Sequence, residues 1–165
     1  MTEVRRFVLD ANVFITASRS YYAFDLAPGF WRALIEHARN QRLVSIDRVK
    51  IEILRGKDRL AEWAQMDFND WFESTDQDDV LEAYRKIVGW VQSENRYRDA
   101  AKAEFASSAD GWLVAYALSR ECVVVTHETL DNNIRTRVKI PNICQQFSIE
   151  YINLFEMLRR LNIKV

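Results

Sequence analysis

Short, unbroken apolar runs alternate along the chain with longer segments of helical spacing. Arg6-Phe7-Val8-Leu9-Asp10 is one such run, ended by a carboxylate; Leu43-Val44-Ser45-Ile46 is a second. Cys122-Val123-Val124-Val125-Thr126 is the clearest. Runs of this kind mark parallel strands that are covered on both faces. After the first run, Ala11 begins a helix that reaches Ala17, and Ser18 to Ala27 reads as a polar and aromatic loop. Pro28 to Gln41 reads as a helix, because Pro28 suits a first turn and Phe30, Leu34 and Ala38 recur at four-residue steps. Asp47 opens a helix through Leu54 with Gly56 as its stop, although Val49, Ile51 and Ile53 also alternate as in a strand. Leu60 to Trp71 has helical spacing, and Phe72 to Thr75 reads as a brief strand. Asp78 to Ser93 and Arg98 to Phe105 read as helices, and Ser107 or Ser108 caps another that runs to about Arg120. Beyond a polar loop, the neighbourhood of Ile143 reads as a last short strand. Ile149 to Leu161 then reads as an amphipathic helix with Ile152, Phe155, Leu158 and Leu161 on one stripe.

Strands alternating with helices predict an α/β sandwich around a mainly parallel sheet, as one domain over residues 1–165. Composition agrees. The 165 residues are 48% apolar, and with four Gly and two Pro they favour neither long linkers nor a many-stranded all-β fold. Cys122 and Cys144 sit among apolar neighbours and read as buried free thiols. Asp10 and Asn12 interrupt the first apolar run, so no signal-peptide core follows, and no stretch is long enough to span a bilayer. A cytoplasmic protein without membrane association is expected. The net charge of −1 makes no case for nucleic acid, so such a role requires a local basic patch.

In parallel α/β folds ligands gather at the carboxyl ends of the strands. That rule directs attention to certain acids. Asp10 ends the first strand, and Glu128 lies just past the strongest strand. Asp110 opens the helix feeding that strand, Glu52 lies on the helix after the second strand, and Asp131 lies just beyond Glu128. If the first and fourth strands are neighbours, these acids meet at one edge. Gathered carboxylates repel unless a cation is present, and hard oxygen donors suit Mg²⁺ or Mn²⁺. Such ions activate water and support in-line displacement at phosphorus, which points to phosphodiester hydrolysis. Taken singly, each acid has a plainer reading. Asp110 suits a helix N-terminus, Glu52 a solvated helix face, Asp10-Ala11-Asn12 a capping turn, Glu128 a surface loop and Asp131-Asn132-Asn133 a turn.

The ordered set resembles the PIN-domain nucleases. Phe7-Val8-Leu9-Asp10-Ala11-Asn12-Val13-Phe14-Ile15 resembles their opening motif. Ala109-Asp110-Gly111-Trp112-Leu113-Val114-Ala115-Tyr116-Ala117 resembles their third-acid helix, and Val123-Val124-Val125-Thr126-His127-Glu128 their last-acid strand. The tail Val138-Lys139-Ile140-Pro141-Asn142-Ile143-Cys144 is similar to a small prokaryotic subfamily. The resemblance implies a parallel sheet of order 3-2-1-4-5 and a divalent-metal-dependent endoribonuclease. Many such proteins are toxins of the VapC type, held inactive by an antitoxin encoded beside them; the subfamily suggests a helix-turn-helix regulator. Carried over, Asp10, Glu52, Asp110 and Glu128 hold Mg²⁺ or Mn²⁺, with Asn12 and Thr126 in support. The motif around Glu52 is weak. The last acid is Glu where the family often has Asp, and Asp131 is kept as its alternate.

An RNA substrate needs cationic contacts, which give affinity without sequence choice. Arg48, Arg55, Lys57, Arg135 and Arg137 are the candidates carried forward, with Arg19, Arg96, Arg98 and Lys139 also near the expected edge. Tyr21, Tyr22 and Tyr97 are candidate base-stacking residues, with packing the stronger reading. His37 reads as structural, and His127 is expected to point away from Glu128. A homodimer through apolar faces of the helices at Phe30 and Leu60 is conceivable. A haloacid-dehalogenase phosphatase needs an acid where Asn12 stands. A receiver domain needs an Asp–Lys pair that the chain does not place. The non-enzymatic alternative is a silent PIN-like module that binds RNA or protein; four retained acids argue against it.

Overall fold

Five short strands lie parallel in one sheet of order β3-β2-β1-β4-β5, in a computed structural model that describes residues 4–165. β1 (Phe7–Leu9) is central, pairing with β2 (Leu43–Ile46) on one side and β4 (Val123–Val125) on the other. Every residue of these three strands is buried. That double burial is why they appear in the sequence as unbroken apolar runs rather than alternating ones. Ser45 is the polar exception, and its hydroxyl donates to the Leu9 carbonyl at 2.6 Å. β3 (Phe72–Glu73) and β5 (Tyr151–Ile152) form the edges.

Helices flank the sheet. α1 (Ala11–Thr16) leaves β1 and continues as a π-helical turn, Ala17–Tyr21, where a loop is expected. α2 (Pro28–Arg39) and α4 (Arg59–Met66) turn Phe30, Trp31, Leu34, Leu60 and Trp63 inward. There Phe30, Trp31 and Trp63 join Phe14, Phe24, Phe68 and Phe72 in one aromatic cluster; Trp63 and Phe68, for example, stack at 4.9 Å. The apolar faces considered for a dimer are thus consumed in the protein's own core. α4 ends at Met66, short of the expected Trp71, and a 3-10 turn, Asn69–Trp71, follows. Its N-terminus is fixed by Asp58, whose Oδ1 accepts the Ala61 N–H at 3.0 Å.

α3 (Asp47–Leu54) is a helix, as expected, and it buries Val49 and Ile53 one turn apart, but Asp47 is its first residue and not its cap: Ile46 holds the cap position and makes no side-chain capping bond. Its stop differs in detail. Gly56 does not take a positive φ; Lys57 does, at 49°. α5 (Asp78–Ser93), α6 (Asp99–Ser107) and α7 (Asp110–Arg120) follow expectation closely.

The C-terminal segment does not. Ile143 lies inside a helix, α8 (Ile140–Gln146), not a strand. Pro141 presets its first turn, and Ile140, Ile143 and Cys144 share a buried face. The last strand is β5, and Ile152 belongs to it through pairing with Val125, not to the helix. α9 (Leu154–Arg160) starts only after Asn153, whose side chain accepts the Glu156 N–H at 2.9 Å. No helix among the described residues is long and apolar enough to cross a membrane.

Candidate active site

The adjacency of β1 and β4 brings their carboxyl ends side by side. Asp10 follows β1 and is 3% exposed. It occupies the position before α1 but makes no capping bond with its side chain, so the capping reading fails. Instead, Thr126, just past β4, donates its hydroxyl to Asp10 Oδ2 at 3.0 Å. Thr126 Oγ1 in turn accepts the Glu128 N–H at 3.1 Å. One hydroxyl thus ties the end of β1 to the turn that carries Glu128.

Asp110 is the first residue of α7, and Glu52 is exposed on α3. Burial, then the charges of Asp110 and Glu128, push Asp10 up to about 8; Glu52 adds to the effect and the Thr126 hydrogen bond opposes it. Burial and Glu128 push Asp110 up to about 7, with Glu52 and Glu104 adding and Arg137 opposing. A helix N-terminus alone would lower an acid. The rise means that repulsion and desolvation win. Four acids from β1, α3, α7 and the β4 turn therefore share one field.

Glu104, on α6, was not among the expected residues. It enters this field only because α6 and α7 meet at a break, and no sequence spacing signals that. Asp131 does not appear among the groups acting on Asp10 or Asp110. It is exposed in a turn, and its Oδ1 accepts the Asn133 N–H at 2.9 Å. Asn12 is exposed on α1, with no side-chain hydrogen bond among the described residues.

Glu128 is held from its own C-terminal side. Its Oε1 accepts the Ile140 N–H at 3.3 Å, at the start of α8, and Oε2 faces Arg137 Nη2 at 3.4 Å. Oε2 is buried and has no hydrogen-bond donor. Glu52 likewise has no hydrogen-bond or ion-pair partner among the described residues. No group of three or more His, Cys, Asp or Glu side chains among those residues is gathered tightly enough to hold a metal ion. The acids act on one another across the site without closing on a common point. The donor set nonetheless fits a hard cation: all ligating atoms are carboxylate oxygens, and one of them is buried without a donor.

The basic residues divide by use. Arg137 is a counter-charge within the acidic centre. Arg135 Nε donates to the Arg96 carbonyl at 3.3 Å, and Arg96 Nη1 to the Asn132 carbonyl at 2.7 Å, so this pair fastens the 131–139 loop. Arg48 and Arg55 share a pocket with Glu52; these two arginines are exposed, as are Arg19, Lys57 and Arg98. Lys139 is half-buried at the start of α8. Tyr97 is buried and Tyr22 stacks on Phe30 at 4.4 Å, so both pack. Tyr21 is exposed and lies against Phe155 and His127. Burial lowers the His127 pKa, and its Nε2 has no hydrogen-bond partner.

A larger cleft, of about 750 Å³, opens at the opposite edge, where Arg6 and Cys122 lead into β1 and β4. Its size does not make it the site. Arg5 pairs there with Glu150, Arg120 with Asp79 at 2.7 Å, and Arg6 donates to Tyr116 at 2.8 Å.

Comparison with known proteins agrees with this architecture. No curated protein matches the chain. Among solved structures, VapBC-1 from nontypeable Haemophilus influenzae is similar, with a TM-score of 0.54 and 16% identity over 89% of this chain and 96% of that one. VapBC2 from Rickettsia felis, bound to a DNA fragment from their promoter, has a TM-score of 0.50 and 13% identity over 89% and 97% of the two chains. These likenesses establish a PIN-like fold. Residues 7–165 match the family described as "Domain of unknown function (DUF4411)", and the chain belongs to that family.

Proposed function

We propose that this single domain is a divalent-metal-dependent endoribonuclease, acting as the toxin of a type II toxin–antitoxin pair in the cytoplasm. The observation that carries the reading is the convergence of Asp10, Glu52, Asp110 and Glu128. They come from four separate elements, and two of them are raised far above the ordinary carboxylate range. These four residues would hold Mg²⁺ or Mn²⁺, which supplies water activation and charge stabilisation at phosphorus. Thr126 fixes the orientation of Asp10, and Asn12, exposed on α1 two residues beyond Asp10, is the second supporting residue. Glu128 is preferred to Asp131 as the fourth acid because the Asp131 carboxylate is spent in its own turn. Arg137 sits where it balances the acids or meets a phosphate.

The fold shared with VapBC assemblies supports a protein partner. The promoter fragment in one of them fits an antitoxin that also binds DNA, such as a helix-turn-helix regulator. The test is incubation with total RNA and Mg²⁺ or Mn²⁺. Internal cleavage by the wild type is expected, with a loss of at least about 100-fold in Asp110→Asn. Equal cleavage by that variant refutes the mechanism. Expression is expected to arrest growth unless the neighbouring gene is co-expressed. Normal growth with an active nuclease removes the toxin role and leaves the chemistry standing.

A further inference from the structure

One basic side chain beside the acidic centre is held by the fold yet leaves its terminal nitrogens unengaged among the described residues. Arg48 precedes Glu52 by one turn of α3, so the two lie on the same face. Its guanidinium covers Trp112, with Cζ 4.0 Å from the ring centroid. Trp112 lies flat on Tyr84, at 3.7 Å and 5° between planes. Arg48 Nε donates to Thr75 Oγ1 at 3.1 Å. Thr75 is buried and is itself locked to Asp47: its hydroxyl donates to Oδ1 at 2.9 Å and its N–H to Oδ2 at 3.2 Å. The side chain is thus held by a stack below and an anchor on one edge. Among the described residues neither Nη atom has a hydrogen-bond or carboxylate partner. Arg48 is nonetheless exposed to solvent, and fixing an exposed arginine in this way costs rotamer freedom.

Arg48 lines a pocket of about 140 Å³ together with Glu52, Arg55, Ser108 and Ala109. Ala109 immediately precedes Asp110, and Glu52 belongs to the acidic field, so the pocket adjoins that centre. Two guanidinium groups outweigh the single carboxylate. The Ser108 hydroxyl is already engaged with the Phe105 carbonyl at 3.0 Å and the Asp110 N–H at 3.3 Å. The arginines are therefore the donors on offer. A planar fork with an open edge matches the oxygens of a phosphate.

We infer that this pocket binds a backbone phosphate of the RNA strand beside the one that is cut, with Arg48 as its main binding residue. The inference rests on the ribonuclease reading. An acidic centre repels a polyanion, and a fixed cation one step along the strand supplies attraction to the RNA without approaching the reacting atoms.

The test is binding of a labelled single-stranded RNA oligonucleotide to protein carrying Asp110→Asn, followed by anisotropy across a KCl series. Adding Arg48→Ala is expected to raise Kd about tenfold and to flatten the slope of log K against log[salt] by about 0.7, the value for one phosphate on a single strand. Arg48→Lys should recover the slope but only part of the affinity, because an ammonium neither stacks nor forks. Arg55→Ala should have the same sign and a smaller effect. Arg85→Ala, outside the pocket, should change neither. In the cleaving enzyme, Arg48→Ala should raise KM and spare kcat. If Kd and slope are unchanged in a folded Arg48→Ala protein, or if kcat falls with KM intact, the subsite is refuted while wild-type cleavage keeps the ribonuclease reading. A wild type that neither binds nor cuts RNA overturns both.

Discussion

Asp10 and Asp110 are placed where the fold pays for them. Each has an ordinary carboxylate pKa of 3.8 in the unfolded chain and is raised in the folded one, to about 8 and about 7. Between those values the folded protein holds more protons than the unfolded chain. Stability therefore falls as pH rises through this window, and the cost is complete only above both folded pKa values. The sign is opposite to that of a salt-bridged acid. Without divalent ions, the melting temperature should drop between about pH 5 and about pH 8. Asp10→Asn should flatten that drop and stabilise the metal-free protein at the upper pH by about 1–3 kcal/mol, since the carbonyl of Asn still accepts from Thr126. Thermal melts across pH on both proteins check this. A wild type whose melting temperature is flat or rises would show that burial and repulsion do not raise the two acids in the folded protein.

At the scale of elements, α7 carries both Asp110 and the contacts that aim it. Gly111 permits a close approach: a Cβ there would stand 2.8 Å from Phe105 Cζ and 3.0 Å from Tyr84 Cε2. Phe105 is buried and Tyr84 is stacked on Trp112, so neither yields cheaply. Gly111→Ala should cost about 1–2 kcal/mol, with overpacking exceeding the gain in helix propensity. Gly89 is exposed within α5 with nothing within 4 Å of such an atom, so Gly89→Ala should instead stabilise by about 0.5–1 kcal/mol. Denaturant melts of the pair separate the two effects. The same contrast explains what the sequence made legible. β1, β2 and β4 were visible because burial on both faces leaves an unbroken apolar run. α3 was visible from the acid at its start and the glycine past its end, although neither Asp47 nor Gly56 serves as the cap. The tail was misread because Ile143 and Ile149–Ile152 are short apolar clusters whose type is decided by tertiary partners. Val124 and Val125 make Tyr151–Ile152 a strand, and Pro141 with Asn153 makes the flanks helical. Within the site, Asp10, Asp110 and Glu128 were legible from their position at strand and helix ends. Glu104, and the fixing of Arg48 by Thr75 and Trp112, were not, because each joins residues far apart in the chain.

For the whole molecule, the net charge of −1 conceals a division. Carboxylates gather at the carboxyl ends of the strands, with Arg137 on Glu128 as their ion pair among the described residues, while at the amino ends Arg5, Arg6 and Arg120 are matched by Glu150, Glu73 and Asp79. The acidic field joins residues from Asp10 to Glu128, across most of the chain, so an ion bound there is linked to global unfolding and not to one loop. Its effect on stability follows RT ln(1 + [L]/Kd), about 2.7 kcal/mol at 100 times Kd. For a domain of this size that corresponds to a rise in melting temperature of roughly 5–10 °C. Titration with Mn²⁺ should produce this rise. It should be larger near pH 8 than near pH 5, because protons compete with the ion for Asp10 and Asp110. Asp10→Ala and Asp110→Ala should each abolish most of it. A shift that persists undiminished in both variants would place the ion elsewhere on the molecule, and the acids would then have to be explained without it.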